Sequence, residues 1–297
     1  MPFTPIELRF GLLLLLLLAG TWLVAQLARS GQAAPGRGRA LSQGLVYAAA
    51  YAACVLPAPA MLAVLSLVGM QMVREWMAAL APVAAAPVPR LLAVLAALAA
   101  PWLLYSCAPR NAETVVALAA LAVFGLLLGD RSWPRAAAFV PAVVCAACSA
   151  LAFDAFAGLR RLPGGARLCL FAFFVVNVGD TAAYVCGKLA GRRRLAPRIS
   201  PGKTVEGALG SLGAAVLAGF VFDRALALHQ GAAFVLGAAV LLNLLGLAGD
   251  LLTSRVKRRV GIKDFGAVLP GHGGVLDRLD SCLLAVPAFL ILVRMPL

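Results

Sequence analysis

Apolar residues gather along the chain into long runs separated by short polar stretches. Runs at 8–28, 91–107, 113–129, 136–157, 167–187, 207–228, 231–252 and 279–295 reach, or nearly reach, the roughly 20 residues that carry a helix across a bilayer. The stretch 45–76 is divided by Pro57 and Pro59 into a short piece, 45–56, and a longer one, 60–76. One kinked helix there gives nine spans and two helices give ten. The pattern predicts an all-α fold, a polytopic integral membrane protein of about nine to ten transmembrane helices. Three regions follow: an N-terminal anchor helix and basic linker (1–43), N-terminal transmembrane helices (44–160), and a C-terminal transmembrane region (161–297) that holds the candidate chemistry between loops 188–206 and 250–278. Phe10–Ala28 has no clear small-residue cleavage site before Arg29 and reads as a retained anchor.

Composition strengthens this picture. Of 297 residues, 63% are apolar and 13% charged, and the mean hydropathy is +0.95. A soluble domain is roughly 45–50% apolar and 25% charged, so a soluble enzyme and a disordered chain are both excluded. The seven cysteines lie in or beside apolar runs, and Cys145–Cys148 has redox spacing but no second pair and no nearby histidine. They read as small packing residues, without a disulfide framework.

The net charge is +14. In an apolar chain this excess belongs to loops on the cytoplasmic face and implies no nucleic-acid partner. Lys188, Arg192, Arg193, Arg194, Arg198 and Lys203 crowd one loop; Arg255, Lys257, Arg258, Arg259, Lys263 and Arg278 crowd another. Two spans separate these loops, so they share a side. Placing the Arg29–Arg39 linker there too requires the split at Pro57, which favours ten segments. Arg160, Arg161 and Arg167 stand outside this rule.

Ionisable residues within spans cost about 2.5–3.5 kcal/mol each on insertion scales and call for a reason. Asn177, Asp180, Thr181 and Tyr184 fall on one face of helix 167–187, with Lys188 one turn beyond. Asn243, Asp250, Ser254 and Lys257 align on helix 231–252. Asp180, Asp250 and Asp277 therefore lie at span ends on one side, among twelve Lys and Arg residues. Carboxylates with a basic rim and exposed glycine amides are what a Mg²⁺–polyphosphate site requires. A hydrogen-bonded seam between helices is the structural alternative for the small polar residues.

Ser200-Pro201-Gly202-Lys203-Thr204 resembles the end of a phosphate-binding P-loop, but Pro197 stands where the first glycine is needed, and that reading is rejected. A Gly-Lys-Thr turn opening helix 207–228 could still bind phosphate through helix amides. Glu206 reads equally as a helix cap. Asp154 and Glu75 read as structural, His229 as solvated, and His272 as a base, a phosphate donor or part of a tight turn. Arg192–Arg194 fit contacts with anionic headgroups.

The run Ser254-Arg255-Val256-Lys257-Arg258, Lys263-Asp264, Gly266, Leu269-Pro270, His272-Gly273-Gly274-Val275 and Asp277-Arg278-Leu279-Asp280 resembles the signature of phosphatidate cytidylyltransferases (CDP-diacylglycerol synthases) over 27 consecutive residues. Asp180-Thr181, Tyr184 and Gly187-Lys188, then Arg198, Ser200 to Thr204 and Glu206-Gly207, resemble upstream blocks of that family. Glu75-Trp76 is a faint match. The likeness is clear over about 170–295. One departure is Thr253, where that family commonly carries Glu before the serine.

The resemblance implies transfer of a cytidylyl group from CTP to phosphatidate, with release of pyrophosphate, at the cytoplasmic side of the cell inner (plasma) membrane. Mg²⁺ is the implied cofactor, with a second cation open, and membrane lipids and a homodimer are the other partners it allows. It assigns Asp250 and Asp277 as Mg²⁺ ligands and Asp180 as a third ligand or nucleotide-positioning group. Lys203, Lys257, Arg258 and Lys263 would hold the triphosphate or the lipid headgroup, and His272, Gly273 and Gly274 would bring donors to phosphate. Asp264 joins the catalytic set, while Tyr184, Lys188, Ser200, Thr204, Ser254 and Arg278 complete the substrate-binding set. A cytidylyltransferase or CTP-dependent kinase acting on another membrane lipid stays open, as does a transporter. Against the transporter, the polar residues gather at one face and no paired broken helices occur.

Overall fold

A computed structural model describes residues 48, 54, 56–80, 149, 152–269 and 273–295. The expected helices 8–28, 91–107 and 113–129, the linker at Arg29–Arg39 and the piece 45–56 lie outside the described residues, apart from positions 48, 54 and 56. So do Cys107, Cys145 and Cys148.

The described elements are helix α1 (Ala58–Leu80), helix α2 (Gly165–Ala190), strands β1 (Arg194–Ala196) and β2 (Ser200–Thr204), and helices α3 (Val205–Ala225), α4 (Ala232–Val260), α5 (Leu276–Leu279) and α6 (Cys282–Arg294). Residues 152–161 form the described part of a further helix. α2, α3 and α4 are each long and apolar enough to cross a membrane. α1 begins immediately after Pro57, whose carbonyl accepts the amide of Met61, so a helix starts at the proline that divides the run 45–76.

Two features depart from the all-α expectation. Within the basic loop expected at 188–206, residues 194–204 form an antiparallel hairpin, pairing Arg194 with Thr204 and Ala196 with Ser200. The Gly202-Lys203-Thr204 stretch is thus a strand and not a turn. The second basic loop also starts later than expected. α4 continues through Asp250, Ser254, Lys257 and Arg258 to Val260, ending at Gly261 with φ of 78°. The charged residues prolong the helix because Lys and Arg at its last turn complement the carbonyl end of the dipole.

α2 is central. Phe171, Phe174 and Val175 are buried against Phe222 of α3, Leu242 of α4 and Phe289 of α6. The rings of Phe174 and Phe222 stack at 5.0 Å. Outward positions of α3, including Leu209, Leu217, Phe220 and Val221, stay exposed, as a lipid-facing helix requires. A second cluster joins Met72 and Trp76 of α1 to Leu252 and Val256 of α4, Phe265 and Leu276.

The polar residues within the helices divide by role. Asn177 donates to the carbonyl of Phe173, and Thr181 donates to that of Asn177, both at 2.8 Å. Ser211 donates to Asn243 across the α3–α4 boundary at 3.3 Å. The Ser211–Asn243 bond is a seam between helices, while Asn177 and Thr181 satisfy themselves within α2. The arginines that stood outside the charge rule also have local partners. Arg167 donates to the carbonyls of Leu226 and Ala227 at the end of α3, and Arg160 to that of Leu56. His229 is exposed in the α3–α4 turn with φ of 54°.

Candidate active site

The two basic loops meet. Lys203 Nζ of β2 lies 2.6 Å from Asp250 Oδ2 of α4, and Arg258 Nε donates to the carbonyl of Ile199 at 3.3 Å. The hairpin is held in place for this contact. Thr204 caps α3 by accepting the amide of Gly207 at 3.1 Å, a cap of the usual N-terminal kind. Glu206 accepts the amides of Arg192 at 3.0 Å and Arg193 at 3.1 Å, which fixes the chain entering β1. Glu206 and Thr204 therefore act on the backbone. Ser200 lies on β2, while Lys188 stands exposed with its ammonium 5.8 Å from the Tyr184 ring centre.

Around Lys203 and Asp250 the structure gathers carboxylates from three segments. Asp180 of α2 is within electrostatic reach of Asp250, Lys203 and Arg278, and it hydrogen-bonds Ser281. Asp280, between α5 and α6, is within reach of Asp250, Asp180 and Lys257. Asp280 is buried, with Thr253 donating to its Oδ2 at 3.2 Å and the Ser281 amide to its Oδ1 at 2.9 Å. Ser254 donates to Asp250 Oδ1 at 3.2 Å. This close approach depends on Gly249. A Cβ there would sit 2.5 Å from the Asp280 carbonyl oxygen.

Asp280 received no role from sequence reasoning, although it closes the quoted signature. The available signal was its spacing after Asp277, which puts it about one helical turn away, on the flank that faces α4. Thr253, the departure from the family pattern, is fully buried, and its hydroxyl meets this same carboxylate.

Asp277 stands in a second, adjoining arrangement. Its Oδ1 pairs with Lys257 Nζ at 2.7 Å, and its Oδ2 accepts the amides of Phe265 at 2.8 Å and Gly274 at 2.9 Å. The ion pair is buried, and the Lys257 ammonium lies 5.3 Å from the Phe265 ring centre. Gly273 has φ of 83°, a conformation that favours glycine, and a Cβ there would come within 2.8 Å of Asp277 Oδ2. Glu75 of α1 accepts the amides of Val275 and Leu276 at 2.9 and 2.8 Å, capping the start of α5 from 200 residues away. That explains why Glu75 is buried, and it agrees with the structural reading. Arg258 also reaches the carbonyl of Ile262, so its guanidinium braces two backbone segments.

Lys263 and Asp264 are exposed on the loop after α4, and Arg278 of α5 faces the same cavity. His272 lies outside the described residues. Among the described residues no three His, Cys, Asp or Glu side chains converge into a ready metal cage. Mg²⁺ is commonly bound by one or two carboxylates, completed by water and substrate phosphates. The oxygen-only donors Asp180 and Asp250 suit such an ion, whereas Asp277, expected as a ligand, has its oxygens engaged by the buried Lys257 ammonium and two backbone amides.

The pattern of the cytidylyltransferase family matches residues 38–295. Over 129 residues the chain is 43% identical to a phosphatidate cytidylyltransferase of Staphylococcus epidermidis, covering 43% of this chain and 50% of that protein. A phosphatidate cytidylyltransferase of Staphylococcus aureus is 40% identical over a stretch of the same length, with the same two shares. The uncharacterized protein YnbB of Escherichia coli is 39% identical over 135 residues, 45% of each chain. The matched stretch thus spans about half the length of these curated relatives. Because the match to the family pattern takes in α1 and every described element through α6, with both basic loops and all the clustered carboxylates, the chain belongs to the cytidylyltransferase family.

Proposed function

We propose that the protein transfers the cytidylyl group of CTP to the phosphate of phosphatidate, giving CDP-diacylglycerol and pyrophosphate. The carrying observation is the meeting of Lys203 and Asp250, which brings a basic hairpin to a carboxylate set at the ends of membrane-length helices. The activity named for the staphylococcal relatives supports the same reading.

The acceptor is a phosphate monoester with a second pKa near about 6, so it is largely dianionic at neutral pH. A strong general base is unnecessary. The protein has to align the reactants and offset charge on the transferring phosphorus and departing pyrophosphate. Asp250 and Asp180 would hold Mg²⁺, which when bound polarises phosphoryl oxygens. Lys203 reaches Asp250 and can swing to a nucleotide phosphate on binding. The Lys257–Asp277 pair fixes the loop that carries Lys263, Asp264, Gly273 and Gly274. Thr253 and Ser254 orient Asp280 and Asp250.

The site belongs on the cytoplasmic side of a bacterial plasma membrane, where CTP arrives from water and the acyl chains remain in lipid. Purified protein given CTP, Mg²⁺ and phosphatidate is expected to yield CDP-diacylglycerol. With CTP labelled separately at the α and γ phosphates, only the α label enters lipid. Entry of the γ label would instead establish a CTP-dependent lipid kinase, and no label in phosphatidate but label in another lipid would move the substrate.

A further inference from the structure

Beside the segment that follows α4 lies an open cavity of about 360 Å³ lined by Lys263, Asp264, Ala267, Leu269, Gly273 and Arg278. Arg278 lines it, and the buried Nε of that side chain has no hydrogen-bond partner among the described residues. Buried donors are ordinarily paired, so an unpaired guanidinium N–H beside a cavity calls for an acceptor. Arg278 is also within electrostatic reach of Asp180 and Asp280, so the cavity adjoins the carboxylate set.

One rim of the cavity is apolar. Ala267 is exposed and the adjacent Val268 is 57% exposed, while Leu269 is buried and pinned by its amide to the Gly273 carbonyl at 2.9 Å. An exposed Ala267–Val268 step, at the edge of a cavity lined by two cationic side chains and on a loop that leads into an apolar helix, matches an amphiphile with an anionic head. Lys203 reaches the same carboxylates from the hairpin, where Arg194 donates to the Pro201 carbonyl and the surroundings are polar. The wider cavity beside the hairpin is a poorer choice. Its carboxylate, Glu206, is already held by backbone amides, and its lining includes none of the clustered carboxylates.

We infer that the Lys263–Arg278 cavity receives the phosphate monoester head of the lipid acceptor, with Ala267 and Val268 against its acyl chains, and that CTP phosphates enter from the Lys203 side. This rests on the phosphatidate reading above. In detergent micelles containing phosphatidate, Arg278→Lys and Lys263→Ala are each expected to raise the apparent KM for phosphatidate about tenfold or more, because a forked or paired phosphate contact is lost. The KM for CTP stays within about twofold, the change expected where no contact is removed. Val268→Ser is expected to raise the phosphatidate KM with long acyl chains but not with dihexanoyl chains. Binding of dihexanoyl phosphatidate to the whole protein without CTP, followed by calorimetry, supplies a readout free of turnover, with inorganic phosphate as the competitor lacking chains. A rise in the CTP KM with the phosphatidate KM unchanged would overturn the assignment and give the cavity to the nucleotide. If the unaltered protein forms no CDP-lipid yet binds dihexanoyl phosphatidate through Arg278 and Lys263, the proposed reaction fails while the lipid-phosphate site stands.

Discussion

The ammonium of Lys203 and the carboxylate of Asp250, 2.6 Å apart, join the base of a two-stranded hairpin to the emerging end of a long apolar helix. Both side chains are partly exposed, so this contact adds little to stability and can be exchanged for contact with a ligand. Its position beside Asp180 and Asp280 makes it a gate on the carboxylate set.

Removing the charge of Asp250 should stop the reaction without unfolding the protein. Asp250→Asn in membranes, at protein levels equal to the unaltered chain, is expected to lower formation of CDP-lipid from labelled CTP by about a hundredfold or more, the scale of losing one charge-stabilising group at a reacting centre. Chelation of divalent ions should silence the unaltered protein, and added Mg²⁺ should restore it. Near-native turnover by Asp250→Asn would remove this residue from the site.

Lys203→Ala tests the hairpin side. The expected result is a rise in the CTP requirement of about tenfold or more, with a smaller change in the phosphatidate requirement, as removal of one charge-assisted phosphate contact predicts. Equal rises for both substrates would indicate that Lys203 acts by setting the geometry of Asp250.

Glu75 holds the start of α5 through two buried amide bonds. Glu75→Ala leaves those amides without partners, and hydrogen bonds to charged groups contribute about 1.5–3 kcal/mol. A lower thermal midpoint in detergent is expected, together with reduced turnover, because α5 carries Asp277 and Arg278. An unchanged midpoint would show that water replaces the carboxylate.

Lys257→Met leaves Asp277 buried beside two amides without its ammonium partner. Breaking a buried pair on one side costs about 3–5 kcal/mol. Unfolding measured in detergent should show a loss on this scale. Lys257→Met combined with Asp277→Asn should recover part of it, and a double variant no more stable than the single one would show that the amide bonds dominate.

Gly249→Ala should destabilise the approach of α4 to the α5–α6 junction, since its new methyl would meet the Asp280 carbonyl oxygen at 2.5 Å. Backbone at that distance has to move, and overpacking of this kind typically costs about 1–3 kcal/mol. Thermal unfolding and turnover should fall together; a normal midpoint with normal turnover would show that the helices separate freely.

Much of this molecule was already written in its one-dimensional pattern. Apolar runs near α2, α3, α4 and α6 are legible because a bilayer-spanning helix must satisfy its backbone internally and present apolar side chains along its whole length. The break at Pro57 and the shared side of the two basic loops follow from equally local rules. The residues of the Ser254–Asp280 run are recognisable by type and order.

Pairing was decided only by the tertiary structure. Spacing puts Asp277 and Asp280 about a turn apart, but cannot say that one meets Lys257 and two amides while the other meets Thr253 and the Asp250 neighbourhood. Composition marks 188–206 as basic and polar, whereas its hairpin depends on Glu206 and Thr204 anchoring the ends. Glu75 gives no local sign of its role, because the amides it caps lie 200 residues away. The physical division is one of range. Solvation and backbone hydrogen bonding act residue by residue and leave a periodic record, while electrostatic pairing acts between segments and exists only once the helices have packed.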